Sequence, residues 1–362
     1  MFGLSSYPGG IENAIMNILC HERFPEDQIH VSLVTYEPAI AFEETILAKG
    51  HHVLRVPHLK KDPFGYARAI RKRMLEQRFD VVYVNMLTAA NVLPILGAKA
   101  AGIQNIVLHA HASSTVKGSF RHILHRMNRG YCVRNASLRL ACSAAAGQWL
   151  YGDCDFTIVP NTIDCRRFKP SEESRAFIRK TYGIDEKTLL IGHVGRFAPE
   201  KNHAFMLDII DCILRKGIRA KILFVGDGIL KSSIQQKAHA MGLSEQTIFV
   251  PTTSEVEKIY PAFDVFLFPS SYEGFGMAML EAQSCGVPCV CSDMVSEAVD
   301  ATKTTRYISL KKTPAHWADI ILQDIAVDKD MLHRRIYASD YNAETQIDKY
   351  ISFLRGKEPE YE

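Results

Sequence analysis

The stretch Phe266-Leu-Phe-Pro-Ser-Ser-Tyr-Glu-Gly-Phe-Gly-Met-Ala-Met-Leu-Glu-Ala-Gln-Ser-Cys-Gly-Val-Pro-Cys-Val290 reads, in order, as an apolar strand, a glycine-rich turn, a helix and the start of another apolar strand. Gly286 ends the helix, and the turn Glu273-Gly-Phe-Gly276 opens it. A helix N-terminus fronted by glycines gathers bare N–H groups and the positive end of the peptide dipoles at one point, which is an anion site. Glu273 and Glu281 stand eight positions apart, a span of at most ~12 Å along a helix. Carboxylates accept hydrogen bonds from vicinal hydroxyls, so the pair suits an extended ligand with a hydroxylated ring at each end and a phosphate between. Taken alone, the segment favours Glu281 as a solvent-facing helix residue and Glu273 as a cap.

The same strand–helix alternation runs outward through the chain. In the first half, strands are expected at 29–36, 53–56, 80–84, 105–108, 138–142 and 156–159, with helices at 11–20, 41–49, 66–78, 89–101 and 119–128. Pro160-Asn-Thr-Ile-Asp164 through Phe168-Lys-Pro170, followed by Glu172-Glu-Ser-Arg175, reads as a linker. The alternation restarts with strands at 189–194, 221–225, 247–250, 265–268, 288–291 and 306–310 and helices at 202–214, 230–241, 254–262, 278–285 and 315–322, and a last helix spans 342–355. The pattern predicts an α/β chain of two Rossmann-like domains, each a doubly wound parallel sheet, facing a central cleft. Their expected bounds are 1–165 and 175–340, with 341–362 packing back toward the first. Only Met1 to Leu4 precede the first turn, so the opening strand is expected to begin upstream of Met1.

Two further loops follow predicted strands. Gly195-Arg-Phe-Ala-Pro-Glu-Lys-Asn202 carries Arg196 and Lys201, a guanidinium fork and a compact ammonium that can neutralise a diphosphate without a metal. Val225-Gly-Asp-Gly228 is a tight strand–helix turn. Together with Asp264-Val-Phe-Leu-Phe-Pro-Ser270 and Glu273-x7-Glu281, these segments resemble the donor-site motifs of the family 4 retaining glycosyltransferases of GT-B fold, of the bacterial surface-polysaccharide type. The resemblance extends to Gly9-Gly-Ile-Glu12, Ser143 and the hinge Pro160-Asn-Thr-Ile-Asp164, where Thr162 replaces a common glycine.

The resemblance implies roles position by position. Arg196 and Lys201 hold the diphosphate and stabilise the leaving group, and Glu281 takes the ribose hydroxyls. Glu273, with the backbone of Gly274, Phe275, Gly276 and Met277, holds the donor sugar and its β-phosphate. Gly226 belongs to the donor site, Val250 to Thr252 lie beside the base, and Gly9 and Gly10 approach the diphosphate from the facing domain. In Leu108-His-Ala-His-Ala-Ser-Ser114, His111, with His109 second, contacts the donor sugar. The catalytic set is then His111, Glu273, Arg196 and Lys201, acting by same-face substitution with a UDP-sugar favoured over a GDP-sugar. The acceptor is a glycan or lipid-linked oligosaccharide, and neither a cofactor nor a metal is expected.

Composition sets the limits. The 362 residues are 47% apolar and 23% charged, and 43 basic against 40 acidic residues leave a net charge of +3, too small to imply a nucleic-acid partner. Nine scattered cysteines suggest reduced thiols in the cytoplasm, and Cys285, Cys289 and Cys291 read as core residues rather than metal ligands. No signal peptide is evident, and the apolar run 81–98 is broken by Asn85, Thr88, Asn91 and Pro94. Between Asp80 and Asp153 there is no acidic residue. In that gap Phe120, Ile123, Leu124 and Met127 form an apolar stripe beside Arg121, Arg126 and Arg129, with Lys117 just upstream. This stripe either packs on its own domain or meets anionic lipid headgroups or a phosphorylated acceptor at the cytoplasmic membrane face. An NAD-dependent oxidoreductase is disfavoured because no G-x-G-x-x-G follows an opening strand. A nucleotide-sugar epimerase of the same fold and a non-catalytic nucleotide- or glycan-binding protein remain as alternatives.

Overall fold

The computed structural model describes residues 1–6, 9–112, 118–273, 275–323 and 327–359. The chain forms two compact units, residues 1–162 with 343–362, and residues 163–342. The boundary falls between Thr162 and Ile163, so the stretch up to residue 175 expected as a linker belongs to the second unit.

In the first unit the order is α1 (Gly10–Leu19), β1 (Ser32–Thr35), α2 (Glu43–Ala48), β2 (His52–Arg55), α3 (Pro63–Gln77), β3 (Val81–Met86), α4 (Leu93–Ala100), β4 (Asn105–Ala110), α5 (Phe120–Asn135), β5 (Leu138–Ala141), α6 (Ala144–Tyr151) and β6 (Thr157–Ile158). All pairings are parallel, β1 with β2 and β3 through β6 in sequence. Phe2 bridges both Val34 of β1 and Val84 of β3, and Met1 also bonds to β1, so the first residues of the chain stand in the strand position between them. Parallel strands covered on both faces read as continuous apolar runs, and β3 is buried from Val82 to Met86.

The second unit contains α7 (Glu172–Thr181), β7 (Leu189–Val194), α8 (His203–Arg215), β8 (Ala220–Val225), α9 (Lys231–Ala240), β9 (Thr247–Val250), β10 (Val265–Phe268), α10 (Met277–Ser284), β11 (Cys289–Ser292), β12 (Arg306–Ile308), α11 (Pro314–Gln323) and α12 (Lys329–Tyr337). Its sheet runs β12-β11-β10-β7-β8-β9, so the strand order reverses between β7 and β10. A crevice outside the carboxyl ends of strands at such a reversal is where open α/β sheets bind ligands. The last helix, α13 (Ala343–Leu354), buries Ile347, Tyr350 and Phe353 in the core of the first unit.

Three expectations change. The expected linker residues 172–175 open α7, because Ser171 caps it by accepting from Ser174 N at 3.1 Å and Glu172 and Glu173 lie in its first turn. Arg175 and Arg179 then anchor α7 to Asp264 at 2.8 and 3.2 Å. The helix expected at 254–262 is two short 3-10 turns, Val256–Lys258 and Tyr260–Ala262, since Pro261 has no N–H to continue a helix. Helices α6 and α12, unforeseen, start at the side-chain caps Ser143 and Asp328.

Candidate functional site

The loops after β7 and β10 flank the reversal of strand order. They are tied together by Ser271 N donating to Glu200 O at 2.8 Å. Lys201 and Glu273, one from each loop, form an ion pair, their side chains 15% and 16% exposed. The Lys201 Nζ also lies 4.6 Å from the centroid of the Phe268 ring. Arg196 is more open, pairing with Glu200 at 3.1 Å.

Beneath this pair, His193 is fully buried and its Nδ1–H donates to Leu267 O at 2.9 Å, leaving the Nε2 lone pair with no donor. A Cβ on residue 195 would come 3.1 Å from that Nε2, so a side chain there would crowd the imidazole. Burial and the neighbouring His203 push His193 well below the usual histidine range, so it is neutral. His203, stacked on Phe197 at 4.2 Å, is pushed down to about 4, by burial and then by Lys201.

The turn after β8 fits against the first loop. Gly226 has φ 144°, and a Cβ there would sit 2.2 Å from the carbonyl oxygen of Gly195, so only glycine fits. Asp227 accepts from Thr252 N at 3.0 Å and from Thr252 Oγ at 3.3 Å, fixing the loop after β9. Helix α10 begins after Gly276, which is left-handed (φ 95°), and no side chain caps it. Its first-turn N–H groups are therefore not consumed by a capping residue. Phe275 and Met277 are buried, Phe275 lying 6.0 Å from Tyr341.

Glu281 is not the solvent-facing helix residue that its helix position alone permits. It is 7% exposed and accepts from the Tyr260 hydroxyl at 2.7 Å. Burial pushes its carboxyl up to about 7, against the smaller opposing effects of the Tyr260 bond and the Arg167 charge. Arg167 is held by Ser254 O and by Glu257 at 2.7 Å.

In the first unit, β4 carries His109 and leads directly into His111, whose N–H donates to Met86 O at 2.9 Å. Both imidazoles are buried, 4.0 Å apart between centroids. His109 is locked between Tyr83 OH at 2.7 Å and Val159 O at 3.1 Å, and His111 meets Asn85 Oδ1 at 2.9 Å. Gly9 and Gly10 form the uncapped start of α1.

The profile of "Glycosyl transferases group 1" matches residues 174–339, and that of "Glycosyltransferase Family 4" matches residues 8–167. "Putative glycosyltransferase EpsF" of Bacillus subtilis strain 168 is 30% identical over 333 residues, 89% of this chain and 86% of its own. This chain is a family 4 glycosyltransferase. "UDP-Gal:alpha-D-GlcNAc-diphosphoundecaprenol alpha-1,3-galactosyltransferase" of Escherichia coli is 24% identical over 62% of this chain and 61% of its own. In three dimensions, HepE of Anabaena in complex with UDP superposes with a TM-score of 0.80 over 98% of both chains at 19% identity. WaaG, a glycosyltransferase of lipopolysaccharide biosynthesis, gives 0.69 over 96% of this chain and 98% of its own at 17% identity. These likenesses establish the GT-B fold.

Within the glycosyltransferase, Lys201, Glu273, Gly226, Thr252, Phe275, Gly276, Met277 and Glu281 all lie on loops or a helix at the carboxyl edge of one sheet, with Arg196 at its open side. Gly274 and Lys117 lie outside the described residues. The residues not foreseen are Tyr260 and Arg167 around Glu281, His193 and Phe268 around Lys201, and Asn85 beside His111. Each comes from a different element, so no local spacing could have revealed it.

The α5 helix departs from the reading in which its apolar stripe packs on its own domain. Phe120, Ile123 and Met127 are 73, 50 and 73% exposed. The buried face is instead His125, stacked on Trp149 at 4.0 Å and accepting from Ala89 N, together with Cys132. Arg121 and Arg126 are exposed beside the stripe, and Arg129 is half-buried. Among the described residues no helix is long and apolar enough to cross a membrane.

Proposed function

We propose that this glycosyltransferase moves a hexose from a UDP-sugar, with GDP-sugars second, to a hydroxyl of a glycan or lipid-linked oligosaccharide, retaining the anomeric configuration. The observation that carries the reading is the Lys201–Glu273 pair at the strand-order reversal, with buried Glu281 farther along α10. In the proposed reaction Lys201 and Arg196 receive the diphosphate, and the N-terminus of α10 adds its N–H groups and dipole. Glu273, released from Lys201 by the phosphate, accepts from sugar hydroxyls, and Glu281 accepts from the ribose. The bond from C1 to the β-phosphate oxygen breaks while the bond from C1 to the acceptor oxygen forms on the same face, and the acceptor proton passes to the departing phosphate. Positive charge from Arg196 and Lys201 serves in place of a divalent cation.

The exposed stripe of α5, flanked by arginines, is proposed to hold the protein peripherally on an anionic membrane where a lipid-linked acceptor resides. The α-1,3-galactosyltransferase relative, whose name gives a diphosphoundecaprenol acceptor, supports that acceptor class.

Calorimetric titration with UDP, GDP and ADP, first with EDTA and then with magnesium, tests the site. Selective binding of UDP that magnesium does not strengthen is expected, and Lys201→Ala should weaken it by ~1–3 kcal/mol through loss of a charge-assisted contact. Unchanged UDP affinity in Lys201→Ala would remove the donor site from this loop. Once the transferred sugar is known, the NMR coupling at its new anomeric centre decides between retention and inversion.

A further inference from the structure

We propose that Tyr260 is a positioning residue for the nucleotide: its hydroxyl donates to Glu281 Oε2, fixes the carboxylate in one orientation and leaves Oε1 as the acceptor offered to the ribose. The inference rests on reading Glu281 as the residue that takes the ribose, and it adds what aims that carboxylate.

The tyrosine is held more firmly than the residue it meets. Its side chain is fully buried, and its ring centroid lies 5.8 Å from Phe266, 5.9 Å from Phe263 and 6.1 Å from Phe168. The short 3-10 turn that carries it is tied down at Ala262 O, which accepts from Arg175 at 3.0 Å and from Arg179 at 3.3 Å. A ring enclosed on those sides keeps its hydroxyl on Glu281 when a ligand arrives.

Glu281, by contrast, has a long and flexible side chain, and an untethered carboxylate samples many orientations. The 2.7 Å bond from Tyr260 selects one of them, and its length is that of a hydroxyl meeting an ionised oxygen. Oε1 meets no donor among the described residues and is not sealed from solvent. An acceptor already aimed takes a ribose hydroxyl without a further loss of side-chain freedom.

The same hydroxyl bears on the charge. Around the carboxylate, burial and Glu257 favour the neutral acid, whereas Tyr260 and, to a smaller extent, Arg167 favour the ion. Arg167 is committed to Glu257 at 2.7 Å, so those two charges largely offset each other at Glu281. The neighbouring thiols of Cys285 and Cys289 are pushed well up by burial and are neutral, and Tyr260, pushed well up in the same way, stays a donor.

Tyr260→Phe removes the hydroxyl and keeps the ring in its cage, with Tyr260→Met in its place if that variant does not fold. In calorimetric titrations with UDP, affinity of the wild type is expected to rise as pH passes about 7. In the variant the rise should move to a pH higher by about 1 or more, because the ionised carboxylate has lost its donor. The terminal phosphate of UDP, which titrates at about pH 6, is common to both proteins and cancels between them. At about pH 8 the wild type should bind UDP about tenfold or more tightly than 2′,3′-dideoxy-UDP, Tyr260→Phe about threefold or less, and Glu281→Gln with almost no preference. An unshifted pH profile, an undiminished preference, or an equal loss for both nucleotides at every pH, as a merely structural change would give, overturns the proposal. A wild type without preference, a preference that Glu281→Gln keeps, or binding of neither nucleotide defeats the ribose reading of Glu281 and the role of Tyr260 with it. A preference lost in Glu281→Gln but kept in Tyr260→Phe defeats only the role of Tyr260.

Discussion

Glu281 links the stability of the fold to pH, and under the proposed donor site it links nucleotide binding to pH with the opposite sign. Its carboxyl is raised from 4.5 to about 7 in the folded chain, mainly by burial. The folded state therefore holds the proton more tightly than the unfolded one. This stabilisation is fully present below pH 4.5 and is lost as pH rises through 7, by ~3 kcal/mol at most. If Glu281 takes the ribose as proposed, the hydroxyls donate to the ionised form, and nucleotide affinity should rise over the same interval. Glu281→Gln, which keeps the shape without the charge, is expected to melt higher than wild type at pH 8 and to match it more closely at pH 5. The same variant should bind UDP more weakly by ~1–3 kcal/mol at pH 8. Melting curves and titrations at the two pH values check both signs, and a variant whose melting follows the wild type at every pH would place the titration elsewhere. The identity of Glu281 as a candidate was legible from its spacing to Glu273. Its charge state was not, because burial and the Tyr260 hydroxyl come from chain that lies 21 residues away in sequence.

At the scale of elements, α5 carries opposite predictions on its two faces. Its outward stripe makes little contact with the rest of the chain, so Phe120→Ser with Met127→Ser should leave the melting temperature within a degree or two, as surface changes usually do. The same pair should abolish flotation with anionic vesicles, and neutral vesicles or high salt should weaken binding by the wild type. Flotation that survives the double substitution would assign membrane contact to another surface. On the inward face, His125→Ala removes a stack on Trp149 and an acceptor for Ala89 N, and a loss of ~1–3 kcal/mol is expected in chemical denaturation. The periodicity of α5 marked an amphipathic helix correctly in kind. Which face turned inward was decided by Trp149 on α6, an element that the alanine-rich segment 144–146 did not announce.

At the scale of the whole molecule, the chain returns to its first unit at the end. Phe353 and Ile347 on α13 are fully buried among Ile15, Leu19 and Leu33, and Tyr350 OH donates to Pro160 O at 3.0 Å. Phe353→Ala is expected to cost ~3–5 kcal/mol of the stability of the first unit. Calorimetry should show one of two transitions moving down while UDP continues to protect the other. A single transition shifted as a whole would instead show that the two units melt together.

The repeating βα pattern, the glycine turns and the charged residues of the loops after β7 and β10 were legible in the order of residues alone. These features are local: strand burial, left-handed turns and helix starts depend on neighbours within a few positions. The tertiary structure alone decided what stands beside what. It set Lys201 against Glu273, buried Glu281 under Tyr260, turned the stripe of α5 outward and placed Asn85 on the ring of His111. Those pairings depend on strand order and register. The fold brings residues 21 to 72 positions apart into contact, at distances that no spacing along the chain encodes.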